Sequence, residues 1–193
     1  REKLLDGIEV VNDQTFSIEA LQIALDNNLT IMGNSDIHKL VDWDFKVPEG
    51  GHRPITLVFA KERTAESIKD ALMNRRTVAV YKNLLIGRNE FLVPLIENSL
   101  KVTSAKYIGK YNVLGVEIEN LSSTEIILQN QTGYTLHNNN DLIILQAGEK
   151  TMVEVKTIER KQNVPLKFSV LSAVNAPNKH PDIILNVKVE EPK

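Results

Sequence analysis

The sequence predicts an α/β domain followed by an all-β domain, and three observations predict it. Over residues 1–100, apolar strand-like runs alternate with stretches of helical period. From residue 101 the helical period stops, and short alternating or apolar runs follow, separated by turn-rich pieces. The composition is 42% hydrophobic and 25% charged over 193 residues, which is ordinary globular material for one or two domains. The boundary falls at residues 99–103, giving domains 1–100 and 101–193.

Each element of the first half has a local warrant. Residues 1–6 read as a link between a helix and a strand, and residues 7–11 as the strand itself. Ser17 is a good N-cap for the helix that follows, where Ile18, Leu21 and Leu25, with Ala20 and Ala24, share one apolar face. Asn27 and Asn28 suit a left-handed stop to that helix. Residues 30–32 and 55–60 read as buried strands. Thr64 then caps a helix in which Ala65, Ile68, Ala71 and Leu72 keep the helical period. Residues 77–81 supply a fourth strand. The strand–helix–strand order implies right-handed parallel crossovers. A last helix over residues 88–100 contains Pro94, which should kink it or start a second segment.

The second half offers seven runs, at residues 102–108, 113–119, 125–129, 142–146, 152–157, 166–171 and 183–189. Seven short strands in such a length predict an immunoglobulin-like antiparallel sandwich without the Cys…Trp…Cys hallmark. Turn-rich pieces at 121–124, 138–141 and 147–150 separate the runs.

Composition also excludes several classes. A net charge of −2 gives no basic footprint for nucleic acid, so none is expected as a partner. No apolar run reaches the roughly 20 residues that a membrane-spanning helix needs. With no cysteine in the sequence, neither disulfides nor thiolate metal sites can form within it.

The chemistry-bearing stretch is Gly33-Asn34-Ser35-Asp36-Ile37-His38. Gly33 permits a sharp exit from the strand before it. If extended backbone persists to His38, Asp36 and His38 point to the same side and converge on one cavity. A carboxylate and an imidazole together suit Zn, Mn or Fe better than Ca or Mg. Chance alone would supply such a pair about 0.2 times in a chain with nine Asp and four His, so the surrounding context has to decide.

That context is ordered. "GIEVVN" precedes the motif, and "HRPITLVFAKERT" and "LIG" follow it. In this succession residues 1–98 resemble the C-terminal part of a polymerase and histidinol phosphatase (PHP) family domain, in a bacterial phosphodiesterase-like branch. The resemblance implies a portion of a distorted barrel of seven parallel strands, with up to three divalent metals (Mn, Zn or Fe) at the strand C-terminal ends. It places Asp36 and His38 among the metal ligands, and Glu9 and Asn12 at the barrel mouth. It implies hydrolysis of a small phosphate ester, whether phosphomonoester, phosphodiester or histidinol phosphate, by a metal-activated water. The family's early His-x-His occurs nowhere in the sequence. The expectation is therefore a fragment, inactive alone, whose remaining strands and ligands lie upstream of Arg1 in a parent enzyme. Relatives of this branch point to the bacterial periplasm rather than the cytoplasm.

Arg53 and Lys82 flank strands where cations could meet a phosphate, and are the candidate substrate-binding residues. His137 and His180 read as solvated, Asp42 and Asp44 as solvent-facing, and Trp43 as a pocket wall or loop packing. Exposed strand edges would invite self-association. The alternative is a non-catalytic module, in which the sandwich is structural or contacts a partner protein or carbohydrate through Tyr134 and residues 137–140. Only Tyr107, Tyr111 and Tyr134 are available there for a sugar.

Overall fold

The structure is a computed structural model that describes residues 4–137 and 141–190. The linker reading at residues 1–3 and the Asn-rich turn at 138–140 lie outside the described residues. The first half runs β1 (Gly7–Asn12), β2 (Thr15–Phe16), α1 (Ile18–Asp26), β3 (Thr30–Asn34) and α2 (Val41–Asp44). A 3-10 turn at Val47–Glu49 leads to β4 (Ile55–Val58), α3 (Ala65–Met73), β5 (Thr77–Tyr81), β6 (Leu84–Gly87) and α4 (Asn89–Ser99). The second half runs β7 (Leu100–Tyr107), β8 (Val113–Asn120), β9 (Ile126–Asn130), β10 (Thr135–Leu136) and β11 (Leu142–Leu145). It ends with β12 (Lys150–Lys156), β13 (Asn163–Val170), β14 (Ala173–Val174) and β15 (Asp182–Lys188). The chain is mostly β-sheet with few helices.

Two compact units result. One is Arg1–Leu92 with Ala173–Lys179, and the other is Val93–Ser172 with His180–Lys193. Within the first, β2-β1-β3 form one sheet and β14-β6-β5-β4 another; neither closes on itself. Strands β1 and β3 are parallel. The expectation of parallel pairing does not extend to residues 55–60 and 77–81: β4 pairs antiparallel with β5, and β5 with β6. The chain leaves β4 and re-enters β5 at the same end. Phe59 N–H donates to the Arg76 carbonyl at 2.9 Å, and Arg76 Nε donates back to the Phe59 carbonyl at 3.2 Å. The nine residues of α3 therefore do not act as a crossover. Strand β6 follows β5 through a two-residue turn at Lys82–Asn83.

Helices α1 and α3 start where their caps require. The Ser17 hydroxyl accepts from Ala20 N–H at 3.0 Å and the Thr64 hydroxyl from Ser67 N–H at 3.2 Å, each satisfying a donor that the first turn leaves free. Asn28, at φ +54°, supplies the left-handed stop of α1. Leu21 and Ala24 of α1 are fully buried against Val10, Val11 and Ile31 of the adjoining strands. Pro94 sits inside α4 as one element, with no second segment.

Two threonine hydroxyls join the two sheets of the first unit, and a third ties β3 to α3. Thr77 Oγ1 donates to the Ile31 carbonyl at 2.7 Å. Thr56 Oγ1 donates to the Gly33 carbonyl at 3.0 Å and accepts from Gly33 N–H at 2.9 Å. Thr30 Oγ1 reaches the Leu72 carbonyl at 2.6 Å. A Cβ at Gly33 would lie 3.1 Å from the Ala79 Cβ, so Ile31 faces Thr77 and Gly33 faces Ala79. Strands β3 and β5 thus run in the same direction, and the C-terminal ends of β1, β3 and β5 share one end of the unit.

The second unit is an antiparallel sandwich of two four-stranded sheets, β10-β12-β8-β7 and β11-β9-β13-β15. All seven expected runs are strands, and β10 joins them. The two-residue period decides burial: Val164, Leu166, Phe168 and Val170 of β13 point in and are fully buried, while their neighbours face out or part way. Leu114, Val116 and Ile118 of β8 and Val153 and Val155 of β12 line the other inner face.

Buried Asn120 closes one corner of the sandwich. Its Nδ2 donates to the carbonyls of Thr124 (2.8 Å) and Leu145 (3.0 Å), and its Oδ1 accepts from the Ser122 N–H (3.0 Å) and hydroxyl (2.7 Å). Asn130 repeats the device ten residues on, with Thr132 in place of Ser122 and the Tyr134 carbonyl in place of that of Thr124.

Candidate functional site

Loops leaving β1, β3 and β5 meet at one end of the first unit. The register of the β1–β3 pair sets Asn12 opposite Asn34. Both amides turn onto Glu9: Asn12 Nδ2 donates to one carboxylate oxygen at 2.6 Å, and Asn34 Nδ2 to the other at 2.5 Å. These donors, Asn12 foremost and Asn34 second, hold the Glu9 carboxyl below the usual carboxylate range. Because the folded-state value is depressed, Glu9's contribution to stability is present above its ordinary value of 4.5 and is lost as pH falls through the lowered one. In an NMR titration the Glu9 carboxyl should therefore show a midpoint below 4.5. Asn12→Ala should raise that midpoint, and Asn34→Ala should raise it by less.

Strand β3 ends at Asn34, and Asp36 takes φ +46°, so extended backbone does not persist to His38. The expected pleat geometry is corrected on this point. A left-handed turn, rather than a strand face, brings the two side chains together. Asp36 Oδ1 and His38 Nε2 lie 3.3 Å apart, with the side chains 53% and 81% exposed. Two tetrahedral ligands each about 2.0–2.1 Å from one ion also lie roughly 3.3 Å apart. The spacing of the pair is compatible with two ligands on one edge of an ion. Glu9 is occupied by its two amides, and among the described residues no group of three or more His, Cys, Asp or Glu side chains is placed to hold a metal.

At the same end of the unit is an open cavity of about 350 Å³ lined by Gln14, Asp44, Phe45, Lys46, Gly50, Gly51, His52, Lys82 and Asn83. Its walls are tied together. The Tyr81 hydroxyl donates to the Gln14 carbonyl, and Gln14 Nε2 donates to the Asp44 carbonyl at 3.4 Å. Gly51 is required where it stands, since a Cβ would lie 2.1 Å from the Phe45 carbonyl oxygen. Lys82 lines the cavity with its ammonium 5.0 Å from the Tyr81 ring centre. Arg53 is exposed and is not part of the lining. Lys46 and His52 carried no signal of their own in the sequence. Trp43 is 74% exposed.

In the sandwich, the Tyr107 hydroxyl accepts from Lys161 N–H at 2.7 Å, and its ring lies under Arg160. Tyr134 is half-buried, which leaves Tyr111, 74% exposed, as the open aromatic of the three.

Residues 100–186 match the family model described as DUF5001, an Ig-like domain. No curated protein matches the chain. Among solved structures, the chain is similar to a two-domain protein containing a predicted PHP-like metal-dependent phosphoesterase from Bacteroides vulgatus ATCC 8482. The sequences are 32% identical, the TM-score is 0.83, and the match covers 94% of this chain. This chain spans about half of that protein, 52% of its length.

Proposed function

We propose that the chain is part of a metal-dependent phosphoesterase, with residues 1–100 forming the C-terminal arc of its PHP-like barrel and residues 101–193 its Ig-like domain. The observation that carries this reading is the Asp36–His38 pair, set at ligand spacing just beyond β3 at the end where β1, β3 and β5 finish together. Similarity to a protein containing a predicted PHP-like metal-dependent phosphoesterase supports it.

Asp36 and His38 fit a divalent ion as two of its ligands, one negative and one neutral. Catalytic zinc keeps three protein ligands, so the described pair needs at least one more, proposed to come from the part of a longer protein that corresponds to the half of the neighbour not covered here. When bound, the ion lowers the pKa of a water and neutralises charge developing on phosphoryl oxygens. For its part, His38 must present Nε2 unprotonated, with its proton on Nδ1. Glu9 stays ionised because Asn12 and Asn34 donate to it, and so adds negative charge to the same mouth. Lys82 and Arg53 supply positive charge for an anionic substrate. The site takes a small phosphate ester.

The test is an activity comparison with an aryl phosphate and added Mn or Zn. The 193-residue chain should give no metal-dependent rate, whereas the longer protein should hydrolyse the ester. Turnover by the chain alone would show that ligands beyond Asp36 and His38 are not needed.

A further inference from the structure

The lining of the cavity between the three loops carries more charge than its sequence neighbourhood announces. Lys46 comes from the loop after α2, His52 from the run into β4, and Lys82 from the β5–β6 turn. Gln14 and Asn83 add amide groups. Neither Asp36 nor His38 is among the lining residues.

Both lysines sit where the backbone disfavours them. Lys46 has φ +49° and Lys82 φ +52°, a region in which glycine is at ease and other L-residues are strained. Each lysine occupies a tight turn: Lys82 is the first central residue of the hairpin that sets Tyr81 against Leu84. Lys46 precedes the turn closed by Glu49 N–H and Gly51 N–H on its own carbonyl, at 2.9 Å and 3.2 Å. Glycine would relax either position. A strained cation found twice on one cavity is the kind of outlier from which a binding role is inferred. Lys46 also makes an ion pair with Glu49 at 3.7 Å, but both groups are 72% exposed, so the pair holds the ammonium only weakly.

We propose that this cavity is a phosphate-binding subsite, distinct from the Asp36–His38 edge, in which Lys46, Lys82 and His52 hold a phosphate group that is not the one hydrolysed. The assignment rests on the phosphoesterase reading for its substrate consequence, a molecule bearing two phosphate groups, but not for the binding itself. The two ammonium groups bring positive charge to a phosphate monoester of about −1.5 to −2, offset in part by Asp44 and by the Glu49 carboxylate beside Lys46, and the imidazole and amides offer donors for its three terminal oxygens.

The experiment is a titration of the 193-residue chain with inorganic phosphate in EDTA, followed by NMR shifts of the His52 ring and the residue 46–51 and 82–83 amides. Wild type should saturate. Lys82→Gly and Lys46→Gly should each weaken binding by about tenfold or more. Their melting temperatures should match or exceed wild type, because the left-handed strain is removed. Lys82→Gln tests the charge without the backbone change and should weaken binding similarly. Asp36→Ala should not lower the affinity. The proposal is overturned if phosphate produces no shifts at tens of millimolar, if the lysine variants bind as wild type does, if acetate binds equally well, or if Asp36→Ala abolishes binding. Since no metal is present, failure here leaves the Asp36–His38 assignment standing, and failure of that assignment leaves this result unchanged.

Discussion

Asp36→Ala and His38→Ala should each lower metal-dependent ester hydrolysis by the longer protein proposed above by at least about 100-fold. Loss of a group that merely orients a metal ligand already costs 10–100-fold, roughly, and these residues are the proposed ligands themselves. Asp36→Ala removes negative charge that would hold the ion, and His38→Ala opens a coordination position to water. Stability should barely move. Both side chains are more than half exposed, and their mutual contact lies at the surface, where such contacts add little to stability. Thermal unfolding within about 0.5 kcal/mol of wild type is the expected accompaniment. His137→Ala and His180→Ala, both in the sandwich unit, should leave the rate near wild type. A double Asp36/His38 variant that keeps its rate would remove the metal assignment.

Asn120→Ala should have the largest effect on stability. Its side chain is fully buried and makes four hydrogen bonds that close the corner between β8, β9 and β11. Alanine would take the Asn120 partner from the Leu145 carbonyl and the Ser122 N–H, while the Thr124 carbonyl would keep only its bond from the Ser122 hydroxyl. Leaving buried polar groups unpaired costs about 1–3 kcal/mol for each, partly relieved by water, so a loss of about 2–4 kcal/mol is expected. In a sandwich of this size that is a fall of roughly 10 °C or more in melting temperature. Asn130→Ala, at the half-exposed copy of the same corner, should cost less. Equal effects at both positions would show that burial does not set the cost. Metal binding by the first unit should be unaffected by either change.

Much of the secondary structure was legible because its causes are local. Ser17 and Thr64 declare their helices through capping, and Asn28 stops one through a left-handed turn. In the sandwich, alternation in β13 and β15 fixes which residues face in before any partner strand is known. Elements of two residues such as β2, β10 and β14 are too short for a period to register. Strand β6 escaped because Lys82–Asn83 lacks the glycine that marks a two-residue hairpin.

Pairing direction was the larger miss. Strand–helix–strand order predicts a parallel crossover, yet the Phe59–Arg76 bonds return the chain to the end of β4 that it left. Nothing local encodes that clamp. The candidate site divides in the same way. Asp36 and His38 are two apart and could be read as a pair, although the turn that joins them differs from the extended backbone expected. Lys46 and His52 could not be read, since the cavity they share with Gln14 and Lys82 is assembled from three loops distant in sequence. Left-handed backbone at a lysine leaves no trace in composition.

The most direct test of the metal assignment is paramagnetic broadening of the 193-residue chain by low concentrations of Mn²⁺, read residue by residue in NMR spectra. The expected result is selective loss of the Asp36 and His38 signals, with Asn34 next, while those of His137 and His180 persist. Either single alanine variant should abolish the selectivity. Uniform broadening over exposed carboxylates, or selective broadening that survives in both Asp36→Ala and His38→Ala, would contradict the placement of a metal ion on this pair.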